Sequence, residues 1–244
     1  MALASAPALP ASVRSPVSAT AFASLMLLIV FAQLDAVGNQ LSAGLPASLY
    51  TMLYGLTVGL ALLSLYDLQG TRLAGVPAFG ARLTAMLLLW SLVCWTLSEH
   101  RTVGWDYLVD MAAAVGLLFL VTALVDTEER LRAAIWTIIA AGLVSALIVY
   151  GDYLTGERLV STAPAAVTAQ FEDFARSAGG SDQNPTTAAQ MLMVGAGLLL
   201  GLVVRHGRYR IVAAVLLLVC LVALGIMSAR SAVLGIAMMV ALIL

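Results

Sequence analysis

One short polar stretch of the sequence has residue types that suit the binding of an anion. It begins at Arg176, passes through two adjacent glycines, and ends in Asn184-Pro185 just before an apolar run. Asn is a favoured N-cap and Pro fits the first position of a helix, so a helix is predicted to begin at Pro185. Free N–H groups at a helix N-terminus bind anions, and Arg donates paired hydrogen bonds to phosphate oxygens. This stretch therefore predicts part of a phosphate or pyrophosphate site.

A second polar stretch runs from Ser228 to Ser231 and separates two further apolar runs. Its serines can cap the helix that follows, so a second helix N-terminus is predicted there. Arg230 lies within this very short connection, and a charge so close to apolar segments is costly and usually has a partner. The alternative for Arg230 and Arg176 is that each is an interfacial side chain whose charged end reaches water.

Two other titratable residues are candidates for chemistry on the same side. Asp110 follows Asp106 by one helical turn, so the two share a helix face. Asp110 is either a proton or ion relay, a base in the anion site, or a side chain hydrogen-bonded to a neighbouring span. His100 is either a catalytic base or a solvated loop residue. No cofactor is expected, and no metal site either, because the chain has only two histidines and no paired metal-ligand motif.

The composition indicates that membrane-spanning helices carry these residues. Of the 244 residues, 62% are hydrophobic and 10% are charged, and the mean hydropathy is +1.01. A soluble domain has about 25% charged residues, so a soluble globular enzyme is excluded. The net charge of −1 provides no basic surface for nucleic acid. The predicted fold class is all-α, a polytopic transmembrane helix bundle in a lipid bilayer.

Eight apolar runs approach the length of about 20 residues that a helix needs to cross a bilayer. They are 20–37, 48–66, 82–98, 105–125, 133–151, 186–204, 211–227 and 231–244. The predicted organisation is a cytoplasmic tail at 1–19, spans one to five within 20–151, a long outer loop at 152–185, and spans six to eight within 186–244. The last run is the shortest, so we expect the natural chain to continue beyond it and this part alone to be inactive.

The distribution of arginines predicts the orientation of these spans. With the N-terminus in the cytoplasm, eight of the twelve arginines fall on the inner side and four on the outer side. The excess of positive charge on cytoplasmic loops favours this orientation. Both polar stretches, with their two predicted helix N-termini, then face the outer boundary of the membrane.

These motifs resemble those of the O-antigen ligase and polymerase superfamily. The pattern Arg-x-x-Gly-Gly-x-x-x-Asn-Pro-x-x-x-Ala at 176–189 is similar to the family's Arg…Gly…Asn-Pro-Asn…Ala. It is followed by Ser-Ala-Arg-Ser-Ala at 228–232, similar to the family's Ser-Arg-Gly/Ala, and preceded by Trp-Thr-Leu-Ser at 95–98. The sequence departs from the pattern at Thr186, where the family commonly has Asn, and at Ala229, which is inserted within the Ser-Arg pair.

The resemblance implies a metal-independent glycosyltransferase in the bacterial inner (plasma) membrane. Members transfer a glycan from an undecaprenyl pyrophosphate carrier to a lipid, glycan or protein acceptor at the outer face; the glycan, the acceptor and the choice between ligase and polymerase stay open. By resemblance, Arg230 is the catalytic residue that binds the pyrophosphate leaving group, and Arg176 is a second clamp. Asn184, Ser228 and Ser231 belong by resemblance to the substrate-binding site. The family's larger periplasmic loop, with a further Arg and its proposed catalytic His, normally follows later in the chain.

Two other function classes fit the same composition. A transporter or flippase of a lipid-linked or small anionic substrate would have broken helices in matched halves and charges near the membrane midplane. Of the candidate residues, only Asp110 is predicted to lie within the membrane. The other class is a non-catalytic membrane scaffold or sensor. A further large outer loop with Arg and His in the full-length protein would favour the transferase over both.

Overall fold

The computed structural model describes residues 16–45, 47–67, 78–99, 101–156, 159–160, 185–205, 207, 209–227 and 230–243. Side chains are described in these ranges except at 65–67, 78–83, 101–103, 106, 185–187, 230–233 and 242–243. The helices are α1 (Pro16–Gln33), α2 (Asp35–Leu41), α3 (Leu49–Asp67), α4 (Ala78–Leu97), α5 (Arg101–Leu124), α6 (Glu128–Thr155), α7 (Pro185–Val204), α8 (Arg210–Ile226) and α9 (Arg230–Ile243).

The described residues confirm the all-α class, since all of their regular secondary structure is helical. Three segments among them are long and apolar enough to cross a membrane, namely α1, Tyr107–Leu124 of α5, and α6. The helices α3, α4, α7 and α8 contain shorter apolar stretches. The described parts of the eight predicted spans are therefore mainly helical, and three described segments are long and apolar enough to cross a membrane.

The first predicted span, 20–37, is wrong near its end, because the helix breaks inside it. Leu34 has φ −121° and ψ 47°, outside the helical region, so α1 ends before it and α2 begins after it. The Asp35 carboxylate accepts a hydrogen bond from the backbone N–H of Ala36 at 3.0 Å. A negative charge in the first turn of α2 also interacts favourably with the helix dipole. The break lies between two polar residues, Gln33 and Asp35, inside a segment that is otherwise apolar.

Capping residues explain other helix ends that differ from the apolar runs. The helix α1 begins at Pro16, inside the predicted tail 1–19, because Pro is favoured at the first helical position. Thr127 caps α6 by accepting a hydrogen bond from the backbone N–H of Arg130 at 3.3 Å. At its other end α6 continues past the predicted boundary at 151 and stops at Gly156, whose φ of +71° suits glycine.

The described residues divide into two compact units, which interrupt each other along the chain. The first unit combines residues of Met1–Leu25 and Gly55–Leu131, and the second combines residues of Met26–Tyr54 and Arg132–Leu244. Three helices, α1, α3 and α6, contribute residues to both units. The chain therefore passes from one unit to the other within continuous helices, which is why no change of composition marks the division.

The first unit buries a cation where α5 meets α6. The Arg130 side chain donates hydrogen bonds to the Leu124 carbonyl oxygen at 3.0 Å, to Asp126 Oδ1 at 3.1 Å and to Ser18 Oγ at 3.0 Å. Its guanidinium carbon also lies 5.1 Å from the centre of the Phe22 ring. Arg130 is 7% exposed, so these partners replace the water that the charge has lost. The contacts join α1 to the α5–α6 connection.

The same unit contains two further helix contacts. The buried hydroxyls of Ser24 on α1 and Thr57 on α3 are hydrogen-bonded at 2.7 Å. The helices α4 and α5 pack as an antiparallel hairpin, with the rings of Trp95 and Trp105 centred 5.4 Å apart. Gly104 permits this approach, since a Cβ there would lie 3.1 Å from the Trp95 ring. Hydrogen bonds and small residues are what hold apolar helices together in a bilayer.

The second unit has its core between α6, α7 and α8. Small and medium apolar side chains from the three helices form one buried cluster that includes Ile139, Leu192 and Leu224. The backbones of α6 and α7 lie close together at Gly195, where an added Cβ would be in van der Waals contact with the Ile138 carbonyl oxygen at 3.7 Å. The Tyr150 hydroxyl on α6 donates a 2.7 Å hydrogen bond to the Val219 carbonyl oxygen on α8. This core is the support on which α9 packs.

Candidate functional site

The first element of the predicted anion site is the start of α7. This helix begins at Pro185, the position that the Asn-Pro motif predicts. Proline has no N–H to leave unbonded and its φ is already helical, so it starts a helix without loss. The remaining free N–H groups of the first turn point away from the helix body and carry the positive end of the dipole.

The second element is α9, which begins at Arg230 and packs along α7. A Cβ added at Gly197 of α7 would lie 2.6 Å from the sulfur of Met239 on α9. The reverse contact lies one turn away, where a Cβ at Gly235 of α9 would meet the sulfur of Met193 on α7. Each helix thus inserts a methionine against a glycine of the other. We call these two contacts the Met–Gly pairs.

The Met–Gly pairs define the direction and register of α9 on α7. Residue 235 lies beside 193 and residue 239 lies beside 197, so both pairs share an offset of 42 positions. A constant offset means that the two helices run parallel, with both N-termini at the same end. The same offset places Arg230 at the level of Ala188, which follows Pro185 by three residues. At 1.5 Å per residue, this level is about 4.5 Å below the start of α7.

The register of α9 on α7 therefore puts the backbone of Arg230 at the level of the first turn of α7. Ser231 is the second residue of α9. The remaining predicted members of the site, Arg176, Asn184 and Ser228, lie outside the described residues. The candidate base His100 also lies outside them. The part of the site that can be described is therefore two parallel helix starts and one arginine position.

Asp110 lies on an exposed face of α5, within the segment long and apolar enough to span a membrane. No described residue hydrogen-bonds to its carboxylate in the structure, so the predicted bond to a neighbouring span is not found among the described residues. Its neighbour one residue on, Met111, instead accepts a 3.0 Å hydrogen bond from Ser91 on α4. Asp110 belongs to the first unit and Arg230 to the second.

Among the residues that the structure describes, no group of three or more His, Cys, Asp or Glu side chains could hold a metal ion. Both cysteines are free thiols, with Cys94 exposed on α4 and Cys220 buried on α8.

No family model, curated protein or solved structure matches this chain.

Two features of the second unit were not predicted from the sequence. The first is the set of Met–Gly pairs, whose signal is a Met and a Gly spaced four residues apart on both helices. The second lies where α6 ends, inside the predicted outer loop 152–185. There the Asp152 carboxylate accepts a 2.9 Å hydrogen bond from the Leu159 N–H, and Gln40 on α2 donates to the Val160 carbonyl oxygen at 2.8 Å. These bonds fix the first residues after α6 within the second unit.

Proposed function

We propose that this chain is a membrane glycosyltransferase of the O-antigen ligase and polymerase type. In this proposal it spans the bacterial plasma membrane about eight times with its N-terminus in the cytoplasm. It transfers a glycan from an undecaprenyl pyrophosphate carrier to an acceptor at the outer face. The motifs at 176–189 and 228–232 support this family, and the parallel start of α7 and α9 is the observation that carries the site.

The pyrophosphate binds in this proposal between the N-termini of α7 and α9. Helix starts at about the same level direct several N–H donors and two positive dipole ends toward one region. Because of the offset of the Met–Gly pairs, Arg230 belongs to the same region in this proposal, about one helical turn from the level of Pro185. A doubly esterified pyrophosphate carries negative charge on both phosphorus groups, so such a set of donors is complementary to it.

The reaction itself explains why an arginine belongs there. The acceptor oxygen forms a bond to the anomeric carbon of the glycan, and the bond from that carbon to the pyrophosphate oxygen breaks. The acceptor proton passes to a base, and the departing pyrophosphate gains negative charge. Donors that are already oriented toward that charge stabilise the transition state more than the ground state. Arg230 supplies such donors, and its bidentate fork fits two phosphate oxygens.

One observation favours transport as a second candidate function. The break at Leu34, with the carboxylate of Asp35 beside it, has the form of the interrupted helices found at transporter binding sites. Such transporters carry paired breaks in two related halves. Among the other described helices the structure shows no second break of this kind, so the transferase remains the better supported proposal.

The profile of cell-surface glycans in a strain lacking this gene tests the proposal. We expect lipopolysaccharide or glycoprotein to lack its attached glycan, and carrier-linked glycan to accumulate in the membrane. Carrier-linked glycan that accumulates on the cytoplasmic leaflet would instead indicate a flippase. An unchanged glycan profile would reject both candidate functions.

A further inference from the structure

We infer that the Met–Gly pairs are positioning contacts, which set the height of Arg230 against the first turn of α7. This inference rests on the proposed function, in which Arg230 binds the pyrophosphate leaving group. It adds Met193, Gly197, Gly235 and Met239 to the residues on which transfer depends, although they lie 5 to 12 residues, or about one to three turns, beyond the helix starts.

The reciprocal arrangement of the pairs is what fixes the height. The sulfur of Met193 lies where a Cβ of Gly235 would be. The sulfur of Met239 lies 2.6 Å from the position that a Cβ of Gly197 would take. The residues next to each glycine along its helix carry side chains. A shift of α9 by one residue in either direction, with the rotation that keeps a side chain facing α7, would therefore put a residue larger than glycine opposite a methionine. Two such contacts on one pair of helices oppose sliding and rotation together.

The two pairs differ in how much change they can absorb. A small apolar cavity of about 50 Å³ lies beside Gly197 and Met239, between α7, α8 and α9. Met239 has a flexible side chain that can turn into this space if Gly197 is enlarged. A Cβ at Gly235 would overlap the Met193 sulfur, and valine adds two further carbons there, so we expect Gly235→Val to shift α9 against α7. Enlarging Gly197 by one methyl group is expected to be tolerated.

The test uses Gly235→Val in the full-length protein, with Gly201→Val as the matched control. Gly201 lies on α7 one turn beyond Gly197, and a Cβ added there would meet nothing within 4 Å. A misplacement of about 1 Å in a catalytic site can cost about 100-fold in rate. We expect Gly235→Val to lower kcat at least about tenfold at unchanged membrane abundance, with KM for the acceptor little changed. Gly201→Val is expected to stay within about twofold of the natural protein.

Two further measurements separate positioning from a general loss of structure. The first is a crosslink in a background without Cys94 and Cys220. Cysteines at Ala189 and Ser231 share the offset of 42, so we expect them to form a disulfide. Gly235→Val should lower the yield of this crosslink. Met193→Ala added to Gly235→Val makes room for the valine, and we expect it to restore both the crosslink and transfer.

The decisive comparison combines Gly235→Val with Arg230→Ala. If Gly235 acts through Arg230, the double variant is no slower than Arg230→Ala alone. A further tenfold loss in the double variant would overturn the inference. The inference would also be overturned if Gly235→Val transferred glycan at the natural rate and its crosslink were undiminished. In that case a slow Arg230→Ala variant would still leave the proposed function standing. Natural transfer by Arg230→Ala would reject the proposed role of Arg230 itself. If Gly235→Val fails to accumulate, Gly235→Ala answers the same questions with a smaller shift.

Discussion

The buried Arg130 makes a sharp prediction about stability. Arg130→Ala removes hydrogen bonds to the Leu124 carbonyl, to Asp126 and to Ser18, and it leaves a void beside the Phe22 ring. Removing one partner of a buried ion pair costs about 3–5 kcal/mol. The Asp126 side chain is 27% exposed and stays partly hydrated, so the lower end of this range applies, about 3 kcal/mol. A change of 1 kcal/mol shifts the Tm of a chain of this size by about 2–4 °C, which gives an expected decrease of about 6–12 °C.

Thermal unfolding of the purified protein in detergent measures this shift. The matched control is Arg132→Ala, which removes an exposed arginine two residues along α6 and is expected to lower the Tm by about 2 °C or less. Arg130→Lys keeps the charge but loses the guanidinium fork, so its Tm should fall between those of the natural protein and Arg130→Ala. Equal shifts for Arg130→Ala and Arg132→Ala would refute the assignment of Arg130 as a buried contact between α1 and the α5–α6 connection.

Two more predictions address the topology and the second unit. Of single cysteines at Gly156 and Gly207, only the one at 156 should react with a membrane-impermeant reagent in intact cells, because the excess of arginine predicts a cytoplasmic position for 207. Labelling of 207 from outside would show that the predicted orientation is wrong. Tyr150→Phe loses the 2.7 Å hydrogen bond to the Val219 carbonyl and should cost about 1 kcal/mol, or 2–4 °C in Tm, whereas an unchanged Tm would show that this bond contributes nothing.

The sequence predicts the helical class and the start of α7 well because both have strong local causes. An apolar fraction of 62% predicts long apolar helices, and Pro185 after Asn184 starts a helix through its own backbone geometry. The break at Leu34 has only a weak signal, the polar residues Gln33 and Asp35 on either side of it. Averaging hydropathy over the length of a span hides these two residues among their apolar neighbours.

The candidate site was predictable in its residue types but not in its register. The sequence places Arg230 and Pro185 at the starts of two helices, and the alternation of spans puts those starts on one side. It does not say which helices are neighbours or at what height they meet. That information resides in the pairing of Met193 with Gly235, which are far apart in sequence. In the same way, counting Arg130 among the inner arginines misses its burial, which depends on the contact with Ser18.

The central claim is that Arg230 binds the pyrophosphate leaving group, and the rate of glycan transfer by the full-length protein tests it most directly. A charge-assisted hydrogen bond contributes about 1.5–3 kcal/mol, so Arg230→Ala should slow transfer by about 10- to 100-fold or more. Arg230→Lys should recover part of this rate because it keeps the charge without the fork. Arg176→Ala should be milder. A well-expressed Arg230→Ala variant that transfers glycan at nearly the natural rate would contradict the account and leave Arg230 as an interfacial anchor.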